Sequence, residues 1–210
     1  MKLSVIGGGG FAGEVIDALL ACSESAPVEI VGVFDDDTRF RVGLVHGFPY
    51  GGTIADFIEN TPPQSNYVWA IGNNETRERL AIEFGKHKKI ALPVVHPQSF
   101  VSPRAMISAG AYVGAFAFVG PRSSIGSHAI VNVSASVGHD VKIGDFAQLC
   151  PGVRVSGFCE IGVGAFMGSN AVLGPGGKMG DHAILGACSY AHRVVPAGKL
   201  AVGVPAKVVL

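Results

Sequence analysis

The chain has 210 residues, enough for one large domain or two small ones. Nearly half of it is apolar (48%) and only 15% is charged, so a sizeable core is available and the composition is not that of a disordered chain. Sixteen basic and sixteen acidic residues cancel, which argues against a polybasic binder of nucleic acid or of an anionic membrane.

The first part alternates strand and helix. Leu3–Ile6 reads as a short apolar strand, followed by the run Gly7–Gly10 and an amphipathic helix through about Ala21. Ile30–Phe34 is a second strand, ending in Asp35–Asp36–Asp37, and Gly43–Gly52 is loop-like. Thr53–Asn60 reads as a short helix with Thr53 and Asp56 at capping-box spacing. Tyr67–Ile71 is a third strand, and Gly72–Asn73–Asn74 leads into a charged helix, Glu75–Lys86. A fourth strand, Ile90–Val95, leads to His96–Pro97, where the domain boundary falls. The alternation predicts a small Rossmann-like α/β domain over residues 1–96, a parallel sheet with helices on its faces.

Gly8, Gly10 and Gly13 satisfy GxGxxG between the first strand and the first helix, and Asp35 lies 22 residues beyond Gly13. Bare amides at a helix start suit a phosphate or carbonyl oxygen. A unit of about 95 residues is about half of a two-lobed dinucleotide fold, which favours a smaller nucleotide or sugar ligand over NAD. A purely structural turn stays open. Asp35 and Asp36 suit hydrogen bonds from a base or ribose, with a solvated turn as the alternative.

The second half is a repeat. From Val101 an aliphatic residue recurs every six positions: Val101, Ile107, Val113 and so on, through Met179 and Leu185, fifteen times without a slip. The next position is Gly in ten of the fifteen, and four places after the aliphatic sits a small or β-branched residue such as Ala105, Ala111 or Ala117. Period six fits neither a helix nor an ordinary strand, but it fits a solenoid of short strands and sharp turns, aliphatics inward. Three hexads make a triangular coil, so residues 101–190 predict about five coils, stacked roughly 4.8 Å apart into a prism about 24 Å tall. The segment from Pro196 to Leu210 is expected to leave the repeat and pack against it. Two charge-free stretches, Ala105–Pro121 and Ile161–Gly177, are too regularly broken by Gly, Ser or Pro to be membrane spans. The four cysteines form no CxxC pair or metal spacing and read as small buried apolar residues of a reducing compartment. No signal peptide is evident, and a soluble cytoplasmic protein is expected.

One polar interruption stands out. His139 and Asp140 lie side by side at a turn, the arrangement of an oriented general base. One coil on, His139 meets Gly157, whose backbone N–H is suited to a developing oxyanion. His128 and His182 sit at ordinary surface positions of their hexads, and His46, His87, His96 and His192 are expected in solvent. His139 has no partner His one coil away, which weakens a metal-dependent reading.

The uninterrupted hexads, the GHD turn at 138–140 and the ending Val202–Lys207 resemble the left-handed β-helix (hexapeptide-repeat) acyltransferases. The start VIGGGGFAGEVID, the acidic run after the second strand and AIGNN at 70–74 narrow this to sugar O/N-acetyltransferases of the sialic-acid and bacillosamine type, among them nucleotide-4-amino-sugar N-acetyltransferases. The resemblance implies a left-handed β-helix over residues 97–210 and a homotrimer with active sites between subunits. It implies His139 as general base, with Asp140 orienting it and raising its basicity. Gly9, Gly10, Phe11, Asp35, Asp36, Gly72 and Asn73 would line a nucleotide-sugar pocket, with Asn132 near the acceptor end. Acetyl-CoA would touch Gln148, Gly157, Ser169 and Ala187, and Lys207 either meets a CoA phosphate or is a solvated tail residue; no metal is implied. Phe11 and Gln148 stand where relatives often carry His. The expected reaction is acetyl transfer from acetyl-CoA to the amine of a nucleotide-linked 4-amino-6-deoxy sugar by direct attack, without acyl transfer through Cys150 or Cys188. The alternatives are O-acetylation of a sugar hydroxyl and a non-catalytic nucleotide-binding trimer.

Overall fold

The computed structural model describes residues 1–23, 27–41 and 43–209. They form two compact units, Met1–Val94 and Val95–Leu210.

The first unit is a six-stranded sheet. Its elements are β1 (Lys2–Ile6), α1 (Gly10–Ser23), β2 (Glu29–Phe34), β3 (Leu44–Val45), β4 (Phe48–Gly52), α2 (Ile54–Asn60), β5 (Asn66–Trp69), α3 (Asn74–Lys86) and β6 (Ile90–Ala91). The strand order is β3-β4-β2-β1-β5-β6, all neighbours parallel except β3 and β4. Helix α1 buries Ala12, Val15, Ile16, Ala18 and Leu19, a stripe at helical spacing. The predicted capping box forms: Thr53 accepts from the Asp56 N–H and Asp56 accepts from the Thr53 N–H. Phe57, Tyr67, Trp69 and Phe84 make an aromatic core, with Trp69 and Phe84 stacked at 5.3 Å.

Two sequence expectations are corrected here. Gly43–Gly52 is a hairpin, not a loop: Val45 pairs with Phe48 across His46–Gly47, both at positive φ, and β4 adds to the edge at β2. A two-residue turn of this type normally announces itself with Asn-Gly; His in the first position hid it. The expected strand Ile90–Val95 is two short strands, because Pro93 has no N–H for a ladder: Ile90–Ala91 pairs with β5, whereas Val94–Val95 belongs to a sheet of the second unit.

The second unit is the predicted prism. Two-residue strands recur every six residues and pair in parallel at a register of 18, for example Val119 with Val137 and Val137 with Val155. Three sheets result. Face one runs from Val94–Val95 to Leu200–Gly203, face two from Phe100–Val101 to Tyr190–Ala191, and face three from Met106–Ile107 to Val194–Val195. Faces two and three hold six strands each, so the prism has six coils where five are expected. In the last coil the register drops to 16 (Lys178 with Val194, Ile184 with Leu200), which disguised it. The tail continues face one as Leu200–Gly203 and returns antiparallel as Ala206–Val208 instead of leaving the repeat at Pro196.

The aliphatic series fills the axis, as in Val137, Leu149 and Leu173, none of them measurably exposed, and the small residues four places on complete it. The glycines after the aliphatics are there for another reason than turning. At fourteen corners from Gly110 to Cys188 φ is positive, yet ten of those residues are not glycine. What glycine permits is coil-to-coil contact: a Cβ at Gly120 would lie 2.7 Å from the Gly138 carbonyl carbon, and one at Gly126 2.6 Å from the Asp145 nitrogen. Of the cysteines, Cys150 and Cys159 are buried as expected, but Cys188 is exposed at a corner and Cys22 is half-buried. No helix among the described residues is long and apolar enough to cross a membrane.

Candidate active site

His139 and Asp140 occupy the corner between faces two and three. Asp140 takes the left-handed corner conformation, and its N–H reaches the Pro121 carbonyl one coil below. Ser123, buried, brackets the same turn by donating to the Gly138 carbonyl and accepting from the Val141 N–H. The turn is therefore fixed by its neighbours and the His139 ring is carried on a rigid backbone.

The ring is half-exposed. Its Nδ1 lies 2.8 Å from Asp140 Oδ2, and Phe158 meets it edge-on at 4.9 Å between centroids. Asp140 is in turn held by Arg122, whose Nε and Nη2 each lie 2.6 Å from a carboxylate oxygen. That fork, and then the His139 contact, hold the Asp140 carboxyl well below the usual carboxylate range. As an anion Asp140 only accepts, so Nδ1 of His139 is the donor and Nε2 carries the lone pair. One coil above, a Cβ at Gly157 would lie 2.7 Å from the ring Cε1 and 2.8 Å from Nε2, so the glycine leaves the space that the imidazole fills. The Gly157 N–H donates to no acceptor among the described residues. An oriented base thus sits beside a free backbone donor.

The first unit gathers a second group of predicted residues. Gly9, Gly10 and Phe11 follow β1, Asp35 and Asp36 follow β2, and Gly72 and Asn73 follow β5. These are the carboxyl ends of three adjacent strands, at the point where the chain order reverses, the usual binding crevice of an open α/β sheet. Gly7 opens the turn at φ +108, with its Cα side pressed against the Ala70 carbonyl, so no larger residue fits. The Asp35 carboxylate is not a free acceptor: Oδ2 takes the Gly8 N–H at 2.6 Å and Oδ1 the Asp37 N–H at 2.7 Å. Asp36 accepts from the Ile54 N–H at the start of α2, and Asn73 caps α3. A shallow cleft beside Gly8, Gly9 and Gly10 is walled by Arg39, Phe40 and His46. His46, expected in solvent, instead contacts the Gly8 and Gly9 carbonyls through Nε2 at 3.1 and 3.0 Å.

Behind Gly72 and Asn73 lies Arg77, fully buried, donating to the Ile71 and Gly72 carbonyls and to Asn74. Burial pulls its guanidinium down to about 10, so it stays charged at neutral pH. Arg77→Leu strips these carbonyls of a donor, and is expected to lower stability by about 2–4 kcal/mol in chemical denaturation. A loss under about 0.5 kcal/mol would show the guanidinium to be dispensable.

The remaining predicted residues lie on face one and at the edge where it ends. Gln148 points outward on face one, between Ile130 and Phe166. Its Oε1 is buried with no hydrogen-bond partner among the described residues, while Nε2 lies 3.8 Å from the Cys150 sulfur. Asn132, Ser169 and Ala187 follow face-one strands at the corner leading to face two, with Ser169 and Ala187 one coil apart. Asn132 is buried and accepts from the Val133 N–H. One chain therefore joins His139, Asp140 and Gly157 at one edge, sets Asn132, Ser169 and Ala187 along a different one, and places Gln148 on face one. Sequence reading missed Arg122, Ser123 and His46. Arg122 had a visible signal, an opposite charge 18 residues before Asp140 and so in register one coil away.

A stack of six-residue repeats with a carboxylate-oriented imidazole at one corner is the architecture of a hexapeptide-repeat acyltransferase. Residues 2–84 match the PglD N-terminal domain family. Perosamine N-acetyltransferase from Caulobacter crescentus, in a histidine-to-asparagine variant holding CoA and GDP-perosamine, is 31% identical, with a TM-score of 0.90 over 100% of this chain and 97% of that one. The acetyltransferase domain of PglB from Neisseria gonorrhoeae FA1090, in complex with acetyl coenzyme A, is 30% identical, with a TM-score of 0.91 over 99% and 98% of the two chains. WeeI from Acinetobacter baumannii AYE is 25% identical, with a TM-score of 0.86 over the whole of both chains. No match was found among curated protein sequences. The chain belongs to the nucleotide-amino-sugar acetyltransferases of the left-handed β-helix type.

Proposed function

We propose that this acetyltransferase moves the acetyl group of acetyl-CoA to the amine of a nucleotide-linked 4-amino-6-deoxy sugar, with His139 as general base. The observation that carries this is the corner itself: Nε2 of His139, its lone pair set by Asp140, lies beside the Gly157 backbone. The sugar amine attacks the thioester carbonyl carbon and His139 Nε2 takes the proton it sheds. The Gly157 N–H steadies the oxyanion, and collapse breaks the carbon–sulfur bond. The thiolate of CoA leaves and recovers the proton from the imidazolium. A positioned amine needs no acyl-enzyme, and the buried thiols of Cys150 and Cys159 are pushed up by desolvation, away from the nucleophilic form.

Residues 1–96 bind the nucleotide sugar in this reading, through Gly9, Gly10, Phe11, Asp35, Asp36, Gly72 and Asn73, with Asp35 acting by shaping the glycine turn. Residues 97–210 carry the transfer. Gly157 lies on one edge of the prism, Ser169 and Ala187 on another, and Gln148 on face one. This supports a homotrimer, in which the edge of one copy and that of the next line one acetyl-CoA cleft, Asn132 at its acceptor end. The complexes of the Caulobacter and Neisseria proteins with CoA, GDP-perosamine and acetyl-CoA support the donor and the acceptor class. The reading puts the enzyme in the cytoplasm.

The test is thiol release from acetyl-CoA against UDP-, GDP- and dTDP-linked 4-amino-6-deoxy sugars, with free sialic acid as the hydroxyl control. Turnover with one amino sugar is the expected result. Turnover with sialic acid alone would make the enzyme an O-acetyltransferase, and silence across the panel would refute the acceptor class.

A further inference from the structure

Arg122 stands outside every function assigned above, yet it makes the closest charged contact of the catalytic corner. Positions 122 and 140 share one corner column, a coil apart, and both adopt the left-handed conformation. Stacking brings their side chains together, and the guanidinium meets the carboxylate as a two-pronged fork, 2.6 Å on each prong. Oδ2 of Asp140 is shared between Arg122 Nη2 and His139 Nδ1. Arg122 and His139 are the charged or titratable groups that bear on Asp140, and the Phe158 ring closes another side of the imidazole.

We propose that Arg122 is a positioning residue for acetyl transfer: it clamps the Asp140 carboxylate so that His139 keeps its proton on Nδ1 and its lone pair on Nε2. This rests on the reading of His139 as the base. The Arg122 side chain is 55% exposed, and an exposed pair of this kind contributes little to fold stability, so the fork has a small structural role to play. Its geometric effect is large by comparison. The Asp140 side chain is partly buried on a fixed turn, and without the fork the His139 contact is the one remaining restraint on its carboxylate. An imidazole without a fixed acceptor at Nδ1 reverts to the Nε2–H tautomer that free imidazole side chains favour. That tautomer has no lone pair at the reacting edge and cannot accept the amine proton. A lysine at 122 would supply the charge without the fork, and so only part of the effect.

The tautomer can be observed without any substrate. Long-range proton–nitrogen correlation spectra of histidine-labelled protein at pH 8 would be compared for wild type, Arg122→Gln, Arg122→Lys and Asp140→Asn, with His139→Asn used for assignment. The expected result is Nδ1–H in wild type, a shift towards Nε2–H in Arg122→Gln and an intermediate population in Arg122→Lys. With acetyl-CoA and the amino sugar that turns over best, kcat of Arg122→Gln is expected to fall about 10- to 50-fold. KM for acetyl-CoA is expected to change less than about twofold, and Tm by no more than about 3 °C. A wild-type tautomer and kcat in Arg122→Gln, with both changed in Asp140→Asn, would overturn the role of Arg122 alone. Undiminished turnover in His139→Asn would remove the base itself, and the proposal with it.

Discussion

Replacing His139 by asparagine is expected to lower kcat about 10²- to 10⁴-fold while leaving the fold and acetyl-CoA binding intact. Asparagine occupies similar space and can still hydrogen-bond, but it cannot take up the proton that the attacking amine must shed. The ring it replaces is half-exposed at a corner, and its loss opens no cavity on the prism axis, where Val137 and Val155 are fully or almost fully buried. Tm should therefore move by no more than about 3 °C. What survives is the contribution of position alone: an amine held against the thioester with Gly157 still offering its N–H. Because hydroxide can then replace the missing base, the deficit should narrow between pH 7 and pH 9. Steady-state thiol release across that range measures both effects. Near-normal turnover at pH 7 would take the base assignment away from His139.

Much of this was legible because the prism is nearly one-dimensional. A period of six and a coil of 18 turn sequence distance into spatial distance, so His139 and Gly157 are neighbours by arithmetic, and the structure has the glycine against the ring. The same arithmetic run backwards leads from Asp140 to Arg122. What failed were places where the period breaks or where a rule has two causes. The last coil lost two residues and so fell out of the count. The post-aliphatic glycines suggest turning, but they serve the close approach of adjacent coils, while larger residues such as Asp140 and Phe146 accept positive φ with their N–H groups bonded to the coil below. In the first unit, GxGxxG indicated where the crevice lies but not how it is built. His46 arrives from a hairpin that lacks the usual Asn-Gly signature, and the Asp35 carboxylate is spent on the glycine turn, which needs three-dimensional proximity to see. The separation of Gly157 from Ser169 and Ala187 onto two edges, with Gln148 on face one, likewise follows from which hexad each occupies, a distinction lost when they are read simply as neighbours in one repeat.

Gly157→Ala offers a sharper experiment than any change to His139, since it alters the base without touching it. No positive φ is required at 157, so alanine causes no backbone strain. The single added carbon would lie 2.7 Å from Cε1, 2.8 Å from Nε2 and 3.2 Å from Nδ1 of His139, closer than van der Waals contact allows. The ring must move, and Asp140 below and the Phe158 edge beside it limit where it can go. The remaining route is outward, which breaks the Nδ1 contact and carries Nε2 away from the thioester. A displacement of about 1 Å is enough for roughly a 100-fold loss in kcat. The Gly157 N–H persists in alanine, so the oxyanion donor is retained and the loss reports on the base. Two controls follow from that. In a His139→Asn background, Gly157→Ala should add less than about threefold, because the group it displaces is already gone. Tm should hold within a few degrees, since the half-exposed ring can swing into solvent. Wild-type turnover in Gly157→Ala would mean that the ring position is not what limits acetyl transfer. Equal further losses in both backgrounds would instead assign the effect to the backbone donor itself.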